Sequence, residues 1–207
     1  MAGPTREFWQ QRFEARETAW DRGAPNPQLG RWLDCGALAP CRILVPGCGS
    51  GHEVAALAQR GFDVTALDYT PAALALTRER LERAQARAIL IEADVLEWRA
   101  PRRFDTVYEQ TCLCALHPDH WRRYAEQLGA WLAPDGRLFA LLMQCLRPSA
   151  AHGVVEGPPY HCDINAVRAL LSEPRWHWPA PPYERLTHSE RWAEIAMVLT
   201  HRGDIRA

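Results

Sequence analysis

The sequence predicts a doubly wound α/β fold with a mostly parallel sheet, and three observations carry that expectation. From Arg42 to Met143 short apolar runs alternate with segments of helical periodicity. A glycine-rich turn stands between the first apolar run and the first of those helices. The links are short, as strand–helix–strand crossovers require, which implies helices on both faces of the sheet. At 207 residues the chain fits a single domain, 1–207, with a substantial core.

Taken in order, residues 5–19 read as an amphipathic helix, with Phe8, Trp9 and Phe13 among Arg and Glu. A turn-rich stretch, Asp21–Pro27, leads to a short helix over 28–33. Ile43–Val45 is the first strand, 52–60 a helix closed by Gly61, and Val64–Leu67 the second strand. Thr70 suits an N-cap and Pro71 a first helical position, for a helix reaching about Ala86. Ala88–Ile91 and Thr106–Tyr108 are strands three and four. A helix over 119–132 and an Ala-Pro-Asp-Gly turn precede strand five, Arg137–Met143. Beyond the loop 144–161 come a helix near 163–171 and two strands, 183–188 and 191–201, with no helix between them.

Composition removes several function classes. Net charge is −1, so no overall field favours nucleic acid or an anionic membrane. All 24 basic side chains are arginine. Without lysine there is no Schiff-base amine, phosphate-loop lysine or lysine general base. Seven cysteines form no C-x-x-C pair, and the first twenty residues carry no apolar signal core. Free thiols, a reducing compartment and a cytoplasmic location are therefore expected. The longest apolar run, Leu138–Met143, is too short to span a bilayer.

Three strand ends carry the chemistry. Val45-Pro46-Gly47-Cys48-Gly49-Ser50-Gly51 follows a strand and opens a helix, where glycine lets backbone approach a ligand. Its third glycine comes one position earlier than in the G-x-G-x-x-G of dinucleotide binders. That matches the G-x-G-x-G of methyltransferases, whose cofactor S-adenosylmethionine has no phosphate. Asp68 ends the second strand, placed to accept ribose hydroxyls or else to cap a helix. Asp94 and Val95 follow the third strand, placed for an adenine amine and ring. Ligands in open α/β sheets lie at these carboxyl ends.

With those residues in hand, the sequence resembles the thiopurine/thiol/halide methyltransferase family along nearly its whole length. The resemblance rests on Phe8-Trp9-Gln10-Gln11-Arg12-Phe13, Ala19-Trp20-Asp21-Arg22-Gly23 and Leu44-Val45-Pro46-Gly47-Cys48-Gly49. It continues through Phe104-Asp105 to Leu116 and Gly157-Pro158-Pro159-Tyr160. It implies a seven-stranded, Rossmann-like class I fold with a closing antiparallel strand pair, and an N-terminal segment, 1–35, that covers the cofactor. It further implies cofactor contacts for Trp9, Phe13, Trp20, Gly47, Gly49, Asp68, Asp94 and Val95. Gln110 stands where thiopurine enzymes carry arginine and plant thiol and halide enzymes tyrosine; Phe13 stands for a family tryptophan. Aromatic faces attract a sulfonium by ~0.5–2 kcal/mol, although the same rings also suit a packed helix.

Tyr108-Glu109-Gln110-Thr111-Cys112-Leu113-Cys114 leaves strand four toward the transferred methyl. Glu109 is read as balancing the cofactor's positive charge, and Gln110 as touching both cofactor and acceptor. Cys112 and Cys114, with His117 or His161-Cys162, match no standard zinc spacing and read as buried thiols, so no metal is expected. Loop 144–161 is read as a mobile substrate lid, with Tyr160 and His161 toward the acceptor.

The function that results is methyl transfer from S-adenosylmethionine to a small soft nucleophile, a thiol or thiolate above all. A thiol of pKa ~8.5 is already a few per cent ionised at neutral pH, so no dedicated base is needed, and none is assigned. The expected partner is a small-molecule acceptor, with no nucleic acid and no membrane, and the chain is expected to be a monomer. A nucleotide-cofactor oxidoreductase and a non-catalytic S-adenosylmethionine-binding protein remain the alternatives at this point.

Overall fold

A computed structural model describes residues 3–188 and 192–203. The chain divides into two compact units, Thr5–Trp98 and Met1–Pro4 with Arg99–Ala207.

In the first unit, α1 (Arg6–Ala15) starts at Thr5, whose hydroxyl accepts the Phe8 N–H at 3.3 Å. It stops four residues short of the expected end because Arg16 turns left-handed, with φ +56°. Pro27 opens α2 (Pro27–Asp34) behind the Asn26 cap, and Leu29 and Trp32 are its buried anchors. Then come β1 (Arg42–Pro46), α3 (His52–Gln59), β2 (Asp63–Asp68), α4 (Pro71–Arg83) and β3 (Ile89–Glu92). The three strands are parallel in the order β3-β2-β1, with Leu44 opposite Thr65 and Thr65 opposite Ile89. Ile43, Leu44 and Val45 are all buried, so β1 is covered on both faces, as its unbroken apolar run requires. Ile89, on β3, is 55% exposed.

The second unit holds β4 (Phe104–Gln110), α5 (Trp121–Trp131), β5 (Leu132–Gln144), α6 (Ile164–Leu170), β6 (Trp176–His177), β7 (Glu184–Thr187) and β8 (Ala193–His201). Strands β4 and β5 are parallel, and β8 runs antiparallel to β5 from Arg137–Thr200 to Gln144–Ala193. Both β7 and β6 then pair with β8, antiparallel. The two-residue β6 has no counterpart in the sequence reading, since two residues leave no periodicity to see; among the described residues it raises the expected seven strands to eight. Residue 191 of the expected last strand lies outside the described residues. A 3-10 turn, Pro118–His120, starts the helix expected at 119, and the helix itself begins at Trp121.

Strand β5 begins at Leu132, ahead of the turn chemistry at Ala133-Pro134-Asp135-Gly136. Asp135 has φ +61°. A Cβ on Gly136 would lie 2.8 Å from the Ala133 carbonyl oxygen, so only glycine closes the turn. The core of this unit is Tyr124, Trp131, Leu132, Leu138 and Phe139, each no more than 1% exposed. Among the described residues no helix is long and apolar enough to cross a membrane.

Trp131→Ala should lower the unfolding free energy by about 3–5 kcal/mol, the cost of emptying a large buried site. Ile89→Ala, on the exposed strand, should cost within about 0.5 kcal/mol. Urea titrations of both variants check this, and equal losses would contradict the burial assigned to Trp131.

Candidate functional site

The loop after β1 is set by backbone shape. Gly47, Gly49 and Gly51 have φ of +60°, +53° and +76°, a region that favours glycine. Gly51 is doubly constrained, because a Cβ there would come within 2.5 Å of Thr77 Oγ1 on α4. Helix α4 also holds the loop by hydrogen bonds: Thr77 Oγ1 donates to the Gly49 carbonyl at 2.9 Å and Arg80 Nε to the Ser50 carbonyl at 2.8 Å.

Asp68 ties the end of β2 to this loop. Its Oδ2 accepts the Gly49 N–H at 3.1 Å, and its Oδ1 accepts the Thr70 N–H at 2.9 Å and the Thr70 hydroxyl at 2.7 Å. Burial raises its pKa, and the bonds from Thr70 and Gly49 only partly oppose that. With the Tyr69 N–H as a further donor, the carboxylate's acceptor capacity is largely used by its own neighbours. Thr70 does stand at the N-cap of α4, but its hydroxyl serves Asp68 and makes no cap bond.

After β3, Asp94 Oδ1 accepts the Leu96 N–H at 2.8 Å, which shapes the turn, and Val95 is buried. The aromatics meet edge to face: Trp9 and Trp20 at 5.3 Å and 85°, Phe13 and Trp20 at 5.9 Å and 87°. Phe13 lies on the glycine loop, its Cζ 3.5 Å from where a Cβ of Gly49 would stand. The structure therefore brings Phe13, Trp20, Gly49 and Asp68 into one connected group within the first unit, with Trp9 stacked against Trp20. Asp94 and Val95 belong to the same unit, at the end of the neighbouring strand.

Glu109, Gln110, Tyr160 and His161 belong to the second unit. Along β4 the side chains alternate. Tyr108 and Gln110 share one side, where the Tyr108 hydroxyl donates to Gln110 Oε1 at 2.9 Å. Glu109 turns the other way and is 2% exposed. Its Oε1 accepts the Leu113 N–H at 2.7 Å. Its Oε2 has no hydrogen-bond partner, and Glu109 helps line a cavity of about 10 Å³ with Leu128, Ala140, Val167 and Met197. That volume is close to the least a single water needs. Burial pushes the Glu109 carboxyl up to about 7, against the Leu113 and Cys112 amides, which lower it, and with Glu194 adding repulsion. Strand alternation sends its side chain into the interior of the second unit, among residues of α5, α6 and the strands.

Thr111, next along, has φ +61°, rare for a β-branched residue, and nothing in the sequence signals it. Its hydroxyl donates to the Gln110 carbonyl at 2.7 Å. Tyr160 is buried and donates its N–H to the Cys114 carbonyl at 2.7 Å. A Cβ on Gly157 would come within 2.4 Å of the Tyr160 ring, which accounts for the glycine in Gly157-Pro158-Pro159-Tyr160. His161 Nδ1 accepts the Cys145 N–H at 3.2 Å. Burial lowers the His161 pKa against the pull of Asp163. The ring is therefore neutral at pH 7 with its proton on Nε2.

Within loop 144–161, Arg147 bonds across the loop to its far end. Arg147 Nη1 donates to the Glu156 carbonyl at 2.6 Å and the Pro159 carbonyl at 2.9 Å. Cys112, Cys114, Cys145 and Cys162 are buried and unbridged. Burial pushes the Cys114 and Cys162 thiols well up, so neither is a ready nucleophile or ligand.

Comparison with known proteins adds to this geometry. The sequence model of one family, described as thiopurine S-methyltransferase, matches residues 4–193. Thiocyanate methyltransferase 1 of Arabidopsis thaliana is 32% identical over 165 residues, covering 79% of this chain and 70% of its own. Thiopurine S-methyltransferase of Azotobacter vinelandii is 28% identical over 187 residues, covering 80% and 81%. Among solved structures, the Burkholderia thailandensis 1,6-didemethyltoxoflavin-N1-methyltransferase superposes with a TM-score of 0.72. It is 20% identical, over 99% of this chain and 94% of that one, a likeness of fold.

The buried Glu109 sets a pH dependence. Its folded pKa, about 7, stands above the ordinary 4.5, so its stabilising share is full below pH 4.5 and is lost as pH rises through 7. Glu109→Gln removes that loss. Between pH 5 and pH 8 the unfolding free energy of the variant should gain on the wild type by up to about 3 kcal/mol. Parallel urea titrations at the two pH values measure it, and a constant difference would show that Glu109 does not titrate there.

Proposed function

The chain belongs to the thiopurine S-methyltransferase family, S-adenosylmethionine-dependent methyltransferases, and from that premise we propose that it methylates a thiol or a similarly small, soft anion. The observation that carries this reading is the connected group of Phe13, Trp20, Gly49 and Asp68. It combines a left-handed glycine loop, a carboxylate at the strand end and aromatic rings over the loop. That combination fits a cofactor with an amino-acid tail, a ribose and a sulfonium, and provides nothing specific to a pyrophosphate.

On this reading Gly47 and Gly49 admit the amino-acid tail close to the backbone. Asp68 Oδ2 accepts from the ribose, and Asp94 and Val95 flank the adenine. Trp9, Phe13 and Trp20 face the sulfonium side and exclude water. When bound, S-adenosylmethionine supplies an activated methyl group.

The acceptor end is assigned to Gln110, Tyr160 and His161. The Tyr108 hydroxyl occupies Gln110 Oε1, which leaves the amide NH2 as a donor toward an anion. His161 has its proton on Nε2 and so also offers a donor rather than a base. Glu109 is sealed in the interior, and the chain contains no lysine. Neither Gln110 nor His161 then takes a proton from an acceptor of high pKa, whereas a thiol arrives partly ionised. We place the enzyme in the cytoplasm, as a monomer acting on a small molecule, with 1–207 as one catalytic domain, 1–35 covering the cofactor and 144–161 beside the acceptor. The free thiols support a reducing compartment.

Three measurements test this. Matched thiol, alcohol and amine acceptors, compared at saturating cofactor by release of S-adenosylhomocysteine, should rank with the thiol fastest; a faster alcohol or amine overturns the assignment. The thiol rate should rise with pH toward the acceptor's own pKa, and the rate with permanently anionic thiocyanate should stay flat over the same range. Asp68→Asn should weaken S-adenosylmethionine binding by about 1.5–3 kcal/mol, as for a hydrogen bond to a charged group. Calorimetry reads that change directly.

A further inference from the structure

Asp21 makes a set of contacts that the reading above does not use. It follows Trp20 directly, and one of its oxygens, Oδ2, accepts the hydroxyl of Ser50, inside the glycine loop. Its Oδ1 accepts the Gly23 N–H at 2.7 Å and lies 2.8 Å from Nε2 of His52, the first residue of α3. Both side chains are largely enclosed, 17% exposed for Asp21 and 8% for His52. A single carboxylate thus joins the aromatic segment to the glycine loop and to the helix that the loop opens.

The contacts form a closed circuit. From Ser50 and His52 they pass to Asp21, along the backbone to Trp20, through the Trp20 ring to Phe13, and from Phe13 back onto Gly49. Apolar burial is a weak fastener for this segment, since Phe13 is the only residue of α1 that is fully buried. The other polar ties are looser. Gln10 Oε1 accepts the Ala72 N–H at 3.1 Å, and the Arg6–Glu92 ion pair has both side chains about half exposed, where such pairs contribute little. Asp21 is the enclosed tie, and it acts where the loop meets the cofactor.

We propose that Asp21 is a positioning residue for the cofactor: through Ser50 and His52 it locks the N-terminal aromatic segment onto the glycine loop, so that Trp20 and Phe13 are set before the cofactor enters. The inference rests on the reading of that loop as the S-adenosylmethionine site. Burial raises the Asp21 pKa, but the Ser50 and Gly23 bonds and His52 outweigh it, so the carboxyl stays below its usual range and ionised at neutral pH. Burial depresses His52 despite Asp21, and its ring is neutral there. The lock is then a carboxylate among hydrogen-bond donors, an arrangement that an amide imitates in shape but not in charge.

The test uses the full chain and S-adenosylmethionine, with D21N, H52Q and the double variant. In D21N the KM and Kd for S-adenosylmethionine should rise about tenfold or more, while kcat at saturating cofactor changes little. The H52Q loss should be smaller, and the two losses should fail to add in the double variant, since both break one contact. A second readout follows the segment itself. Arg16 and Arg22 are exposed, so trypsin reaches them, and saturating cofactor should slow cleavage there in the wild type but far less in D21N. Should D21N not fold, H52Q carries the same two measurements. A folded D21N with unchanged Kd and full protection overturns the lock while leaving the site assignment standing. A wild-type chain that binds no S-adenosylmethionine overturns both.

Discussion

The carboxylate of Asp68 is the constraint around which the first unit is arranged. It is almost wholly enclosed, and an enclosed carboxylate is costly unless donors surround it. Gly49 and Thr70 supply those donors, and each demand has a structural result. To present its N–H to Asp68, the loop must curl left-handed, which selects glycine at 47, 49 and 51. To present both N–H and hydroxyl, Thr70 must stand at the start of α4, and α4 then returns to the loop through Thr77 and Arg80. Strand end, glycine loop and helix start are thus a single polar assembly inside an apolar unit. Phe13 of the aromatic segment lies against Gly49 of this assembly.

In the second unit the polar groups near the end of β4 and in the following loops are engaged one by one. His161 has one nitrogen engaged by the Cys145 amide, Gln110 has its oxygen engaged by Tyr108, and Glu109 is directed inward. The thiols nearby are buried and held protonated. His161, Gln110 and Glu109 are thus each engaged by a neighbour, and the thiols are held protonated by burial. That pattern is coherent with a reaction in which alignment and exclusion of water supply most of the acceleration.

Much of this was legible in the residues themselves. The alternation of apolar runs and helical segments placed β1 through β5 and their helices to within a few residues, because buried parallel strands must be apolar throughout. The glycine loop, Asp68 and Asp94 were visible because their types and positions are fixed by backbone chemistry at strand ends. What could not be read was direction. Whether Glu109 or Gln110 faces the interior depends on which side of β4 the helices cover, and a one-residue change of register reverses it. Thr70 was legible as a cap position but not as a donor to Asp68. The left-handed Arg16 that ends α1, and the Arg147 brace across loop 144–161, depend on contacts distant in sequence or on conformations that no residue type announces.

The left-handed backbone at Thr111 has a consequence beyond the site. For a residue with a Cβ, and a branched one above all, that conformation costs about 1–2 kcal/mol. Glycine or asparagine would occupy it more comfortably. A chain selected or engineered for thermal robustness alone would drift away from threonine at this position. Its hydroxyl, bonded to the carbonyl of Gln110, would be lost in that drift. Position 111 is thus one where a residue more tolerant of left-handed backbone would gain stability and lose the bond to the Gln110 carbonyl.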